Sequence, residues 1–259
     1  MTATSDLTPL LKRLKLGCVL ATLPERLALA RRERLDYAAF LQIILADEVA
    51  RRDQSRLELH LQQAGFEEVC RLEDFDWSAQ ITLDRRLLDS VFSLNFLARH
   101  EHVLFVGPVG VGKSFMAQAL GYAAVRAGHS VRFIRADDFF RVMAQARVDH
   151  TAEKAFRSFL TPDLLALDDL GLHRLNAQQS TDLYELIIER HRHSSFVITS
   201  NRTVEEWLSL FDDPILGNSA LDRLANASYQ IVIEGTSYRE RLSPHRREVL
   251  TSQPEAARI

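Results

Sequence analysis

Apolar positions along this chain follow one rhythm in its first third and another in the rest. Up to about residue 78 they recur at helical spacing. Tyr37, Phe40, Leu41, Ile44, Leu45 and Val49 form the longest set, and Leu10 with Leu14, and Leu57, Leu61 with Ala64, predict further amphipathic helices. Asp36 is placed to cap the longest set, and Gly65 to end a helix. From Thr82 onward short apolar runs alternate with helical stripes. Residues 102–106, 131–134, 164–169, 196–201 and 230–233 read as five strands. Asp84 is placed to cap a helix bearing Leu87, Leu88, Val91, Phe92 and Phe96, while Met116, Leu120 and Ala124 share one face of a helix starting at Lys113. Two helical patterns, one through Phe139, Phe140, Val142 and Met143 and one through Ala155, Phe156 and Phe159, lie between the second and third strands. Residues 178–190 predict another helix, with Leu183, Leu186, Ile187 and Arg190 a turn apart. Strands alternating with helices predict an α/β fold, a doubly wound parallel sheet with ligands at the strands' C-terminal ends.

Composition changes this picture at one place. Glu67, Glu68, Glu73, Asp74 and Asp76 form an acidic stretch ending at Trp77, which is expected to be a packing anchor. The shift suggests a small all-α domain over 1–78, a second domain over 79–245 and a flexible tail over 246–259. Among the 259 residues, 46% are hydrophobic and 26% charged, as in an ordinary globular protein. No apolar run is long enough to span a membrane and the N-terminus lacks a signal-peptide layout, so the expected location is cytoplasmic. The only cysteines, Cys18 and Cys70, suit a reducing compartment, and the nine histidines form no zinc spacing. A net charge of −3 argues against wholesale coating of nucleic acid, and leaves room for a local basic face.

The stretch Gly107, Pro108, Val109, Gly110, Val111, Gly112, Lys113, Ser114 fits G-x-x-x-x-G-K-[ST] between a strand and a helix. Its glycines let backbone N–H groups face phosphates, the helix N-terminus adds a favourable dipole, and Lys113 brings a positive charge. These eight residues are the expected ATP-binding loop, with Lys113 also in a catalytic role. Ser114 can give a hydroxyl to Mg²⁺, and Asp168, at the tip of an apolar strand some fifty residues on, can hold the same ion. Asp169 either orients or deprotonates the attacking water or merely caps a strand. Asn201, at the tip of the next strand, either bonds the γ-phosphate or attacking water or starts a turn, and Arg202 beside it reads as structural.

The loop, residues 164–169 and Val197-Ile198-Thr199-Ser200-Asn201-Arg202 follow one another as in AAA+ ATPases. With Ser219-Ala220-Leu221-Asp222-Arg223-Leu224, Gly235-Thr236-Ser237-Tyr238-Arg239 and the helical first part, the chain resembles the IstB family of transposition ATPases, near relatives of DnaC-type helicase loaders. That resemblance implies the sheet order 5-1-4-3-2 and a sensor 1 role for Asn201. It implies that Arg223 is an arginine finger acting on a neighbouring subunit's nucleotide, and that Arg239 is the sensor 2 arginine. Asp169 departs from the Glu that many AAA+ proteins carry there, which predicts slow or assembly-dependent hydrolysis. The two helices between strands two and three resemble those facing nucleic acid in the initiator and loader clade. Arg147, Lys154 and Arg157 there either contact phosphates or form an ordinary solvated face.

The implied activity is ATP hydrolysis with Mg²⁺, by a homo-oligomer assembled on duplex DNA that delivers target DNA to a partner transposase. A replicative helicase loader, binding single strands and a helicase, is the alternative. A small-molecule P-loop kinase, monomeric and with no need of Arg223, and a non-hydrolysing ATP-gated scaffold are further alternatives.

Overall fold

The helical spacing of the first third produces α1 (Ala3–Arg13), α2 (Val19–Glu33) and α3 (Tyr37–Ala64). Asp36 caps α3 as expected, its carboxylate accepting from the Ala39 N–H at 2.7 Å. The stripe through Leu57, Leu61 and Ala64 does not make a separate helix but continues α3, and Gly65 follows its end in a left-handed conformation. The computed structural model describes residues 3–77 and 81–238, and contacts divide the chain into two compact units, Met1–Leu59 and His60–Ile259. The first unit is cored by Val19, Leu23 and Ile44, with Leu11, Leu16, Leu27 and Phe40 packed around them. Tyr37, Leu41, Leu45 and Val49 point outward, so only part of the apolar set on α3 is core. Buried Glu48 binds Arg51 and Arg52, whose guanidiniums hold its carboxyl down at about 2.

Composition places a boundary near residue 78, whereas the second unit already includes 60–77. The reason lies on α6 (Lys113–Arg126), which would otherwise leave one face uncovered. The Gln118 side-chain carbonyl accepts the Glu67 and Glu68 N–H groups, each at 3.0 Å, and Phe75 packs edge-on against Phe115. A Cβ on Gly121 would lie 2.8 Å from Phe66, so the segment lies close against the helix. The acidic composition reflects the outer side of that segment.

In the second unit, α4 (Arg85–Phe92) is capped by Asp84, as expected. The stripe expected to run unbroken to Phe96 is interrupted at Leu94, which adopts a left-handed conformation before the short α5 (Asn95–Ala98). Strands β1 (His102–Val106), β2 (Val131–Arg135), β3 (Leu164–Asp168), β4 (Ser195–Ser200) and β5 (Ser228–Val232) form one parallel sheet. Their order, β2-β3-β4-β1-β5, is the expected 5-1-4-3-2 read from the other edge. Every residue of β1, β3 and β4 is buried, as parallel strands covered on both faces must be. Met116, Leu120 and Ala124 of α6 are buried against one face of the sheet. Helices α7 (Ala136–Val148), α8 (Ala152–Leu160), α9 (Ala177–Arg190) and α11 (Pro214–Asn226) share a large core with the other. The short α10 (Val204–Trp207) follows β4 behind a capping box made by Thr203 and Glu206. Residues 81–82 pair antiparallel with 234–235, fixing the chain after β5 beside the loop that follows β1.

One buried cation organises the sheet's lower edge. Arg190 is 0% exposed, and its guanidinium donates to the carbonyls of Phe159, Leu160, Pro162 and Ser195. Burial lowers its pKa to about 9. Its turn spacing with Leu183, Leu186 and Ile187 already put it on the apolar face of α9. No described helix is long and apolar enough to cross a membrane.

Candidate functional site

The loop of residues 107–112 joins the C-terminal end of β1 to the N-terminus of α6. Gly107 receives a strand on each side. Its N–H donates to the Ser200 carbonyl, and a Cβ on it would come within 2.0 Å of the Ile233 carbonyl oxygen. Gly112 has φ 93°, where an L side chain is strained, and a Cβ there would meet Phe75 at 2.7 Å. Backbone N–H groups of this loop and of the first turn of α6 are therefore held at a helix start, where they and the dipole favour an anion. The buried Lys113 ammonium donates to the Pro108 carbonyl at 2.6 Å, inside the loop. The chain after β5 closes over the same loop, with the Tyr238 N–H donating to the Gly110 carbonyl at 2.8 Å. Arg239, expected as the sensor 2 arginine, lies outside the described residues, directly after that contact.

Asp168 ends β3 at 2% exposure. Its carboxyl accepts from the hydroxyls of Thr199, at 2.6 Å, and Ser114. Burial raises its pKa most, the nearby Asp169 adds to the rise, and the two hydroxyls oppose it. The residues expected to hold Mg²⁺, Ser114 and Asp168, are therefore in contact, around a carboxylate whose charge is costly without a cation. Among the described residues no three His, Cys, Asp or Glu side chains converge as a metal cage. One carboxylate and one hydroxyl are what the protein supplies to Mg²⁺ when phosphates and water complete its shell, so the donor set fits.

Thr199 links the two acids. Its hydroxyl donates to Asp168 and accepts the Asp169 N–H at 2.8 Å, joining the tips of β3 and β4. The sequence did not single it out, because a threonine in an apolar run reads as an ordinary strand residue. Asp169 is half-buried with φ 57°, a left-handed conformation that Asp tolerates better than most residues. Asn201 follows β4 directly and is exposed, with no hydrogen-bond partner among the described residues. Arg202 is structural, as expected, its Nε donating to the Gly171 carbonyl at 2.7 Å. Lys113, Ser114, Asp168 and Asp169 thus gather at the C-terminal ends of β1 and β3, with Asn201 at the tip of β4.

Arg223 is not among them. It lies on α11 beside a concavity of about 530 Å³, lined also by Glu101, His191, Arg192 and Ala227. These residues precede β1, β4 and β5, at the N-terminal end of the sheet, the end opposite the phosphate loop. One guanidinium nitrogen donates to the Ser219 carbonyl and hydroxyl, at 2.8 and 2.7 Å, which fixes the side chain on its own helix.

The three residues expected to face nucleic acid differ from one another. Arg147 pairs with Asp182, a buried carboxylate on α9, so it ties α7 into the interior and is not a free surface cation. Arg157 pairs on the surface with Glu153 at 2.6 Å, and Lys154 is exposed beside it.

A phosphate loop with an acid-tipped strand one place removed in the sheet, in the order 5-1-4-3-2, defines an AAA+ P-loop protein that binds ATP. The profile of the IstB-like ATP binding protein family matches residues 9–246, and the chain belongs to that family. A Mycobacterium tuberculosis protein described as ATP-binding in an insertion sequence is 39% identical over 237 residues, covering 91% of this chain and 94% of that protein. A Pseudomonas aeruginosa protein described as ATP-binding in insertion sequence IS21 is 33% identical, covering 90% of this chain and 88% of its own. Among solved structures, the DnaC helicase loader superposes with TM-score 0.50 at 25% identity, over 56% of this chain and 85% of that one. DnaI gives TM-score 0.53 at 19% identity, over 63% and 90%, a likeness of fold.

Proposed function

We propose that this protein is an ATP-dependent DNA-binding regulator of transposition, which assembles on duplex DNA with ATP and Mg²⁺ and delivers target DNA to a transposase. Kinship to insertion-sequence ATP-binding proteins supports the setting. The observation that carries the assembly is the position of Arg223, a sheet's length away from its own phosphate loop. A guanidinium there is out of reach of its own loop, which supports a reading in which it serves a neighbour's triphosphate and two subunits complete one site.

In this reading the loop amides and Lys113 grip the β- and γ-phosphates, with the ammonium moving from the Pro108 carbonyl to the phosphates. Ser114 and Asp168 hold Mg²⁺, which when bound neutralises charge developing on the phosphate oxygens. Asp169 takes the proton of the attacking water, Asn201 orients that water or the γ-phosphate, and the neighbour's Arg223 stabilises the transferring group. Arg239 acts on the phosphates as the sensor 2 arginine. Hydrolysis ends the assembly. Phosphate contacts by Lys154 and Arg157 make DNA binding independent of sequence and sensitive to salt.

The test is the size of the protein with and without ATP and duplex DNA, at two salt concentrations. Growth only when both ligands are present, and none for Lys113→Ala, is the expected result. A particle that never enlarges would sink the assembly, and ATP-independent growth of the variant would sink the switch. The DnaC likeness favours a helicase loader as second reading. Preference for single strands, with capture of a replicative helicase, would select it.

A further inference from the structure

The edge strand β2 carries a site that the nucleotide chemistry does not use. Between its first residues and the end of α8 lies a concavity of about 560 Å³, lined among others by His60, Gln63, Ser130, Arg132, Ser158 and Thr161. Arg132 is its centre. The guanidinium lies 3.7 Å from the centroid of the fully buried Phe159 ring, and one nitrogen donates to the Ser158 hydroxyl at 2.7 Å and, more weakly, to its carbonyl at 3.2 Å. No carboxylate pairs with it among the described residues. Asp163, on the neighbouring loop, is bound instead by the N–H and hydroxyl of Ser130 at 2.8 and 2.9 Å, with His129 at 3.8 Å. Burial lowers the Arg132 pKa, and no acid is close enough to oppose that shift. Also on the lining is His60, whose Nδ1 is buried with no hydrogen-bond partner among the described residues.

A guanidinium stacked on an aromatic ring, partly desolvated and without a counter-charge, is arranged for an oxyanion. The helix beside it says which. Lys154, Ser158 and Thr161 are spaced i, i+4, i+7, so the exposed Lys154 stands on the Ser158 face of α8, one turn from the concavity. Its cation extends the positive potential from Arg132 out to open surface, as a strand of successive phosphates requires and a single buried anion does not. The geometry points to a seat for a backbone phosphodiester of bound DNA, with Arg132 as its anchor and Lys154 on the adjoining phosphate. This rests on the DNA-binding reading above and assigns it a place and two residues, one of which sequence left unremarked.

The experiment measures affinity for a fluorescent 30-base-pair duplex, with ATP, at four salt concentrations, for wild type, Arg132→Gln, Arg132→Lys and Lys154→Gln. ATP binding and thermal unfolding are followed alongside as checks of folding. Arg132→Gln is expected to bind about tenfold more weakly at 0.15 M salt. Its slope of log K against log salt should be shallower by about one, since one phosphate contact is gone. Arg132→Lys keeps the slope but loses part of the affinity, and Lys154→Gln loses about one unit of slope with unchanged unfolding. Wild-type binding with the same slope in Arg132→Gln and Lys154→Gln would overturn the seat and leave the DNA reading standing. No duplex binding by wild type would overturn both. In that case, inorganic phosphate held by wild type and not by Arg132→Gln would identify free phosphate as the occupant in place of DNA.

Discussion

At the scale of single residues, Thr199 is the contact on which both acids depend. Replacing it with Val keeps the branched shape but leaves the Asp169 N–H without its acceptor and takes one donor from Asp168. The expected cost is about 1–3 kcal/mol of stability. ATPase turnover should fall at least tenfold with little change in nucleotide affinity, as a steady-state assay beside a binding titration would show. Asp169→Asn is expected to keep the left-handed backbone and ATP binding while phosphate release falls to background. His102 offers a pH test. Its ring is 1% exposed, Nδ1 accepts the Phe196 N–H, and burial, aided by His191 and Arg190, lowers its pKa from 6.5 to about 4. A base with a depressed folded pKa gives stability that is intact above about 6.5 and lost as pH falls toward 4. The loss amounts to about 3 kcal/mol. Chemical denaturation at pH 7.5 and 4.5 should show it, and His102→Gln should flatten that part of the slope.

At the scale of elements, the difference between what sequence foretold and what it missed has a physical cause. The phosphate loop, the caps at Asp36 and Asp84 and the five strands are set by neighbours within a few residues, and each was legible. Thr199 was not, because its role exists only once β4 lies beside β3. Leu94 was missed because leucine, unlike Gly, Asn or Asp, gives no signal of a left-handed turn. The acidic stretch misled because charge records the solvent side of a segment and says nothing of what its other side covers. Arg190 was half legible, its spacing placing a cation on a buried face without revealing the four carbonyls it serves. Arg190→Leu should therefore destabilise by about 3–5 kcal/mol, more than a truncation in the apolar core of the same helix such as Ile187→Val, at about 1 kcal/mol. Urea unfolding of the pair would rank them.

At the scale of the molecule, the proposed function gives the two ends of the sheet different work. Resemblance alone puts Arg223 in a neighbour's site, and the fold places it at the end of the sheet opposite its own loop. Two inactive variants should then rescue one another. Lys113→Ala retains its arginine and Arg223→Ala retains its loop, so a pair of the two holds one complete site and an equal mixture should regain measurable ATPase, below about a quarter of wild type because Lys113→Ala joins the assembly poorly. Each alone should be silent. A mixture as inactive as its components would remove Arg223 from the site.

The left-handed bend at Asp169 also has a bearing on descent and engineering. Chain and side chain were fitted there together, so lengthening Asp169 to Glu would place a bulkier group on a backbone that favours short polar ones. Asp169→Glu should therefore leave ATP turnover no faster and the fold less stable, as a steady-state assay beside urea unfolding would show. A longer acid would be accommodated only if the tip of β3 relaxed first.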